Sequence, residues 1–336
     1  MKPYEQFVDK ILGAVRSSQG KDPAAATAII QEALQKAGLM GAAQPAAHPF
    51  RAPAKEGNKD TLGPGAFLHG SYTNEAGTRR YRLYVPSRPA SGPRPLVVML
   101  HGCTQDPEDF AAGTTMNLAA EEKGCLVLYP EQTASANHSQ CWNWFDAAHQ
   151  QRGQGEAGIL AGMTRQVLRE HGGDPAKVHV AGLSAGGAMA AVLAAAYPDL
   201  YAAVGVHSGL AAGSARDLIT GLQAMKGNAR GGRRHASPGR RVPAIVFHGD
   251  QDAVVHPSNG QAVYRQFGGK PASEIEEGGQ GSTKTMALDE AGRVVAEHWI
   301  LHGHGHAWSG GSTAGSYAVD SGPNASAEML RFFLAQ

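Results

Sequence analysis

The segment KVHVAGLSAGGAMAAVLAAAYP, residues 177–198, decides the fold. Its first residues form an apolar β-type run that enters GLSAG at 182–186, and a small-residue stretch typical of a helix continues until Pro198. In a GxSxG turn between a strand and a helix, the serine has a strained backbone, and its neighbours pass too close to both elements for a Cβ. This context predicts that Ser184 is a nucleophile, with an ordinary tight turn as the alternative.

Apolar runs of similar length recur on both sides of this segment. They are continuous rather than alternating, which is typical of strands buried on both faces of a parallel sheet, and helix-length segments at 155–171 and 187–197 separate some of them. We therefore predict an α/β fold with a mostly parallel central sheet flanked by helices, and with functional loops at the carboxyl ends of the strands. The runs are AFLHGSY and RRYRLYVP around a turn at 74–78, then PLVVMLHG, CLVLYP, KVHVAG, AAVGVHSG, PAIVFHGD and EHWILHGHG.

A serine nucleophile needs a base and a carboxylate, and in this fold the carboxylate follows the serine and the histidine comes last. Asp250 and Asp252 both follow a strand, and we choose Asp252 because it lies further into the loop, which leaves Asp250 as a turn residue. Of His302, His304 and His306, we choose the last as the base for the same reason. The HxHxH spacing could suggest a metal site, but no further ligand has a convincing spacing, so we predict neither metal nor cofactor.

Two backbone amides are candidates for an oxyanion hole. The amide of Ala185 lies at the start of the predicted helix, and that of Cys103 follows the strand that ends in His101 and Gly102. A disulfide between Cys103 and Cys141 would join two loops of the predicted site, and two buried free thiols are the alternative.

Composition excludes several classes of protein. Hydrophobic residues make up 42% and charged residues 18%, which is incompatible with a mainly disordered chain. Thirty basic and 29 acidic side chains give a net charge of +1 without a long basic tract, so we expect no nucleic-acid partner. No apolar stretch approaches the roughly 20 residues that a bilayer span needs, so we expect no membrane association. Neither composition nor length indicates an oligomeric state.

The chain of 336 residues divides by its local composition. We predict a helical hairpin at 1–40, a Pro/Ala/Gly-rich linker at 41–65 and a catalytic domain at 66–336. An arginine- and glycine-rich surface insertion at 211–241 either borders the pocket entrance or is only a solvated connection. Charged residues near the N-terminus argue against a signal peptide, so we predict a cytoplasmic protein, or a secreted one whose leader was removed.

The ordered motifs resemble the esterase family of short-chain polyhydroxyalkanoate (polyhydroxybutyrate) depolymerases, from about residue 66 to the C-terminus. This resemblance implies an α/β-hydrolase fold, a triad of Ser184, Asp252 and His306, and oxyanion amides from Cys103 and Ala185. The motifs are HGCTQ, YPEQ, CWNWF, GLSAGG, VPAIVFHGDQDAVVHP, GHAWSGG and GSYAVDSGP.

The resemblance also implies a substrate class. We expect hydrolysis of short-chain hydroxyalkanoate polyester or oligomer esters, with soluble oligomers favoured because the chain stops at the helix SAEMLRFFLAQ, where secreted polymer-degrading relatives usually carry a further binding domain. The alternatives are a feruloyl or acetyl xylan type esterase and a general short-chain carboxylesterase. A catalytically silent binding module and a peptidase are rivals from other classes. Gln105, Trp142 and Trp308 are candidate substrate-binding residues.

Overall fold

The predicted apolar runs are strands of one mixed sheet in the computed structural model, which describes residues 62–228, 241–279 and 281–336. Across the sheet the order is β1-β2-β4-β3-β5-β6-β7-β10-β9-β8. Pairs from β4 to β10 are parallel, and the outer pairs at both edges are antiparallel. The strands are β1 Ala66–Asn74, β2 Gly77–Val85, β3 Arg94–Leu100, β4 Leu126–Pro130, β5 Gly173–Leu183, β6 Ala203–His207, β7 Ala244–Gly249, β8 Ser273–Gly279, β9 Ser282–Leu288 and β10 Val294–Leu301.

Helices cover both faces of the sheet, because alternate residues of its buried central strands point to opposite sides. One apolar layer packs against α3, α4 and α6, and the other packs against α1, α2 and α7. This α/β/α layering confirms the predicted fold class. The helices are α1 Pro107–Thr114, α2 Met116–Lys123, α3 Gly155–Glu170, α4 Ala185–Ala196, α5 Leu218–Met225, α6 Ser258–Gly268 and α7 Ala325–Leu334.

The hairpin of β8 and β9 lies at one edge of the sheet, and the sequence analysis did not predict it. Every residue of β8 is exposed, and its sequence SEIEEGG contains one large apolar residue, Ile275. An edge strand with charged side chains has no apolar run to signal it, although such charges protect the edge from pairing with other chains.

The domain boundaries remain predictions. The hairpin at 1–40 and the linker up to residue 61 lie outside the described residues. Within the predicted insertion at 211–241, the structure places α5, whose start is capped by Asp217, and residues 229–240 lie outside the described part. Among the helices that are described, none combines the length and apolar character needed to cross a membrane.

Candidate active site

Ser184 lies at the junction of β5 and α4, with φ 56° and ψ −119°. This left-handed backbone is costly for a residue with a side chain, and such strain is concentrated at functional turns. The glycines of the motif allow a close approach. A Cβ on Gly186 would lie 2.0 Å from the carbonyl oxygen of Leu100, and a Cβ on Gly182 would lie 2.4 Å from the carbonyl carbon of Gly186. The turn that presents Ser184 is therefore packed directly against the end of β3.

Asp252 follows β7 and forms the charged end of the predicted triad. Its Oδ2 accepts a 2.7 Å hydrogen bond from Nδ1 of His306, and its Oδ1 accepts from the backbone amides of Val254 and Val255 at 2.9 and 2.8 Å. Burial of the carboxyl raises its pKa, but hydrogen bonds from His248 and His306 outweigh burial and lower the pKa of Asp252 overall. The carboxylate is therefore charged at neutral pH.

This contact defines the tautomer of the neutral His306 ring. Because the Asp252 carboxylate accepts the proton on Nδ1, the neutral ring carries its lone pair on Nε2, which is the form that a general base requires. The loop of His306 also packs against the loop of Asp252. The backbone amide of Gln251 donates to the carbonyl of His304 at 3.0 Å, and a Cβ on Gly249 would lie 2.2 Å from that same oxygen.

The other carboxylate and histidine candidates pair with each other. Asp250 Oδ2 lies 3.1 Å from Nδ1 of His302, and Asp250 Oδ1 accepts from the amide of Gly303 at 2.8 Å. The hydrogen bond from His302 and the amide of Gly303 lower the pKa of Asp250. This second pair holds the beginning of the histidine loop at the surface, so Asp250 bonds a distant loop instead of the local amides expected of a turn residue.

His101 orients the peptide that contains the predicted oxyanion amide. Its Nε2 accepts from the backbone amide of Gln132 at 3.1 Å, so its Nδ1 carries the proton and donates to the carbonyl of Gly102 at 2.7 Å. In a trans peptide the carbonyl and the following N–H point in opposite directions. The hydrogen bond from His101 therefore turns the N–H of Cys103 away from the His101 ring. A Cβ on Gly102 would lie 3.7 Å from Cβ of Ser184, which places this loop beside the predicted nucleophile.

A disulfide in the structure joins Cys103 to Cys141, the pairing that the sequence analysis left open. The backbone amide of Thr104 also donates to the carbonyl of Ser139 at 2.7 Å. The loop that follows β3 and carries the Cys103 amide is called the oxyanion loop below. Both contacts attach it to the loop at 137–145. A covalent attachment of this kind restricts the movement of the loop that carries the Cys103 amide.

A buried polar network supports the loop at 137–145 from below, and the sequence analysis did not predict it. Glu156 is buried and accepts from the backbone amide and the side chain of Asn143 at 2.7 and 2.8 Å. It also accepts from the side chain of Gln132, which in turn accepts a 2.8 Å bond from Arg79. Only the tertiary fold brings these residues together, so no local motif signals them.

The structure places the candidate substrate-binding residues inside the protein. Gln105 is buried, and its side chain accepts from the amide of Gly102 and donates to Asp109, each at 2.9 Å. Trp142 packs against the ring of His101, with 5.5 Å between ring centroids, and Trp308 is also fully buried. These positions favour support of the oxyanion loop and the core over direct substrate contact, which remains a prediction.

His207 connects the serine turn with the histidine loop. Its carbonyl accepts from the amide of Ser184 at 2.9 Å, and its ring Nε2 accepts from the amide of Ser309 at 3.2 Å. The ring stacks on Trp308 with centroids 5.1 Å apart. Burial, followed by the proximity of other histidines, lowers the pKa of His207 well below its usual value, so the ring remains neutral.

Comparison with known proteins gives a consistent result. A family model described as Esterase PHB depolymerase matches residues 79–279. The chain is 30% identical over 284 residues to poly(3-hydroxyalkanoate) depolymerase C of Paucimonas lemoignei, and this match covers 78% of this chain and 68% of that protein. It is also 30% identical over 203 residues to a probable acetylxylan esterase A of Aspergillus clavatus, covering 56% of this chain and 65% of that protein.

A solved structure supports the assignment of the fold. An acetyl xylan esterase from Aspergillus awamori superposes on this chain with a TM-score of 0.61 at 24% identity, covering 72% of this chain and 94% of that one. Together with the sheet order and the serine turn, this similarity identifies the α/β-hydrolase fold that the sequence predicts.

Proposed function

We propose that this chain hydrolyses short-chain hydroxyalkanoate esters through an acyl-enzyme, because it belongs to the Esterase PHB depolymerase family. The observation that carries the mechanism is the 2.7 Å bond between buried Asp252 and His306, in loops that follow neighbouring strands of the sheet that presents Ser184. A serine-dependent ester hydrolase needs a charged carboxylate, a histidine base and a serine nucleophile, for which Asp252, His306 and Ser184 are the candidates.

The reaction begins when Nε2 of His306 takes the proton of Ser184 and the serine oxygen attacks the ester carbonyl. The amides of Cys103 and Ala185 stabilise the oxyanion of the tetrahedral intermediate. As this intermediate collapses, the imidazolium of His306 protonates the leaving alcohol and an acyl-serine remains. Water then repeats the sequence, again with His306 as base, and releases the acid. Asp252 stabilises the imidazolium at both stages.

The substrate assignment rests on the relative from Paucimonas lemoignei, whose name specifies poly(3-hydroxyalkanoate). A 3-hydroxybutyrate oligomer presents a small branched acyl group, and the alcohol that leaves is the hydroxyl of the next 3-hydroxybutyrate unit. The alternative is an esterase of the feruloyl or acetyl xylan type, favoured by the similarity to acetylxylan esterase A of Aspergillus clavatus. Both substrates require the same triad, so the pocket around it decides between them.

A panel of esters tests this proposal. We expect higher kcat/KM for soluble 3-hydroxybutyrate trimer than for methyl ferulate or acetylated xylan, with product acid measured by titration. The variant Ser184→Ala is the control, and it should lose all but about 0.1% of the activity. A preference for acetylated xylan would reject hydroxyalkanoate esters as the substrate in favour of the alternative. Substantial activity in Ser184→Ala would reject the whole mechanism.

The disulfide favours an oxidising compartment, since such bonds persist outside the reducing cytosol. We therefore propose that the enzyme acts after export, which is the second of the two locations that the sequence analysis left open. Thiol titration of protein purified from its native host, unfolded without reductant, should find one free thiol, that of Cys125. Three free thiols would reject this localisation.

A further inference from the structure

A second histidine lies behind the triad carboxylate. His248 belongs to β7 and is buried, and the mechanism above gives it no function. Its Nε2 lies 2.8 Å from the carbonyl oxygen of Val255 and 3.4 Å from Oδ2 of Asp252. Both of these oxygens are acceptors, so Nε2 must carry the proton of the ring.

The opposite side of the ring fixes the same tautomer. Within the described part of the chain, Nδ1 of His248 is buried and has no hydrogen-bond partner. It faces the backbone of Gly260 on α6, where a Cβ would lie 2.8 Å from this nitrogen and 3.0 Å from Nε2 of His298. A proton on Nδ1 would be buried without an acceptor from the backbone, which is unfavourable. The ring is therefore held with one proton, directed at the loop of Asp252.

His248 and Asp252 hold the same residue from two sides. The carbonyl of Val255 accepts from His248, and the amide of Val255 donates to Oδ1 of Asp252 at 2.8 Å. The loop that follows β7 is thus held by three linked contacts, which join His248 to Val255, Val255 to Asp252 and Asp252 to His248. Without His248, Val255 would lose its anchor to the strand, and its amide would no longer hold Oδ1 in place.

We propose that His248 is a positioning residue of the triad, which holds the Asp252 carboxylate toward His306 and shares the charge of its Oδ2. The inference rests on the ester hydrolysis proposed above. Two imidazole N–H groups approach Oδ2, from His306 at 2.7 Å and from His248 at 3.4 Å. The N–H of His248 draws part of the negative charge that would otherwise act on His306 alone.

Removal of this N–H has two separable effects. The loop of Asp252 becomes freer, so fewer molecules have His306 in the reactive orientation and kcat falls. In addition, Oδ2 attracts the His306 imidazolium more strongly, so the acid limb of kcat/KM moves to higher pH. A loss of packing alone would lower kcat or stability without moving the limb. The titratable groups that interact with this carboxylate are His248, His306 and His207.

Two isosteric variants test the proposal. In His248→Gln, the amide nitrogen occupies the place of Nε2 and still donates to Val255, whereas in His248→Asn the shorter amide reaches only the place of Nδ1. We expect His248→Asn to lower kcat roughly tenfold or more and to move the acid limb upward by about half a pH unit. His248→Gln should retain kcat within about threefold and leave the limb unchanged.

His298→Gln is the matched control, because this buried histidine faces the same glycine but makes no contact with Asp252. It should alter stability while leaving the acid limb unchanged. Burst titration of active sites corrects each kcat for unfolded protein, and His248→Leu replaces the asparagine variant if that one does not fold. Wild-type kcat and limb in His248→Asn, or the same limb shift in His298→Gln, would overturn the proposal. Substantial activity in Ser184→Ala would instead reject the acyl-enzyme mechanism itself.

Discussion

The contact between the serine turn and the end of β3 makes Gly186→Ala a sharp test of the site geometry. The added Cβ would lie 2.0 Å from the carbonyl oxygen of Leu100 and 2.5 Å from that of His101. Ordinary contact is about 3.5 Å, so the turn and the oxyanion loop must separate by more than 1 Å. A misplacement of about 1 Å costs roughly 10²-fold in rate, because attack requires alignment of the reacting atoms. We therefore expect kcat/KM to fall by about two orders of magnitude.

The assay is hydrolysis of p-nitrophenyl butyrate, with urea unfolding measured on the same samples. Gly305→Ala is the matched control, since it places the same methyl group in the loop of His306, where nothing lies within 4 Å. It should retain most of the activity. If Gly186→Ala keeps more than a third of the wild-type kcat/KM, the oxyanion loop does not depend on this packing, and the reasoning is wrong.

Three further predictions concern charge, pH and the disulfide. Asp252→Asn should lower kcat about 10³- to 10⁴-fold, measured with p-nitrophenyl butyrate, because the amide cannot stabilise the imidazolium. Burial, then the proximity of His248, lowers the pKa of His298 to about 4. The contribution of His298 to the free energy of unfolding is therefore fully present above about pH 6.5 and is lost as the pH falls toward 4. In urea unfolding of His298→Phe, the free energy of unfolding should fall less steeply with decreasing pH, by the slope that corresponds to about one proton. Cys141→Ser should lower kcat several-fold with little change in KM in steady-state assays, because the Cys103 amide loses its covalent restraint.

The sequence could propose a triad because each candidate lies at the end of a strand within a recognisable local pattern. Ser184 follows β5, Asp252 follows β7 and His306 follows β10, and the carboxyl ends of parallel strands meet at one edge of a sheet. The order of the chain and the depth of each residue in its loop were the grounds for choosing among the alternatives.

The supporting residues could not be predicted with the same rules. Glu156 lies on α3, 24 residues after Gln132, and only tertiary packing makes them partners. His248 reads from the sequence as a histidine in an apolar strand, which is usually a core residue. Its contact with Val255 depends on the loop folding back by seven residues, which no periodicity indicates. Residues that orient catalytic groups are therefore visible only once the loops have a defined conformation.

The two carboxylate–histidine pairs differ in how deeply they are buried. Asp250 and His302 leave 36% and 48% of their side chains exposed, whereas the side chains of Asp252 and His306 leave 0% and 9%. Exposed charges are screened by water, so the outer pair contributes little beyond local structure. In the inner pair the same attraction acts in a lower dielectric, where it is several-fold stronger. Two residues along the aspartate loop and four along the histidine loop thus separate a surface contact from a pair with the geometry to stabilise an imidazolium.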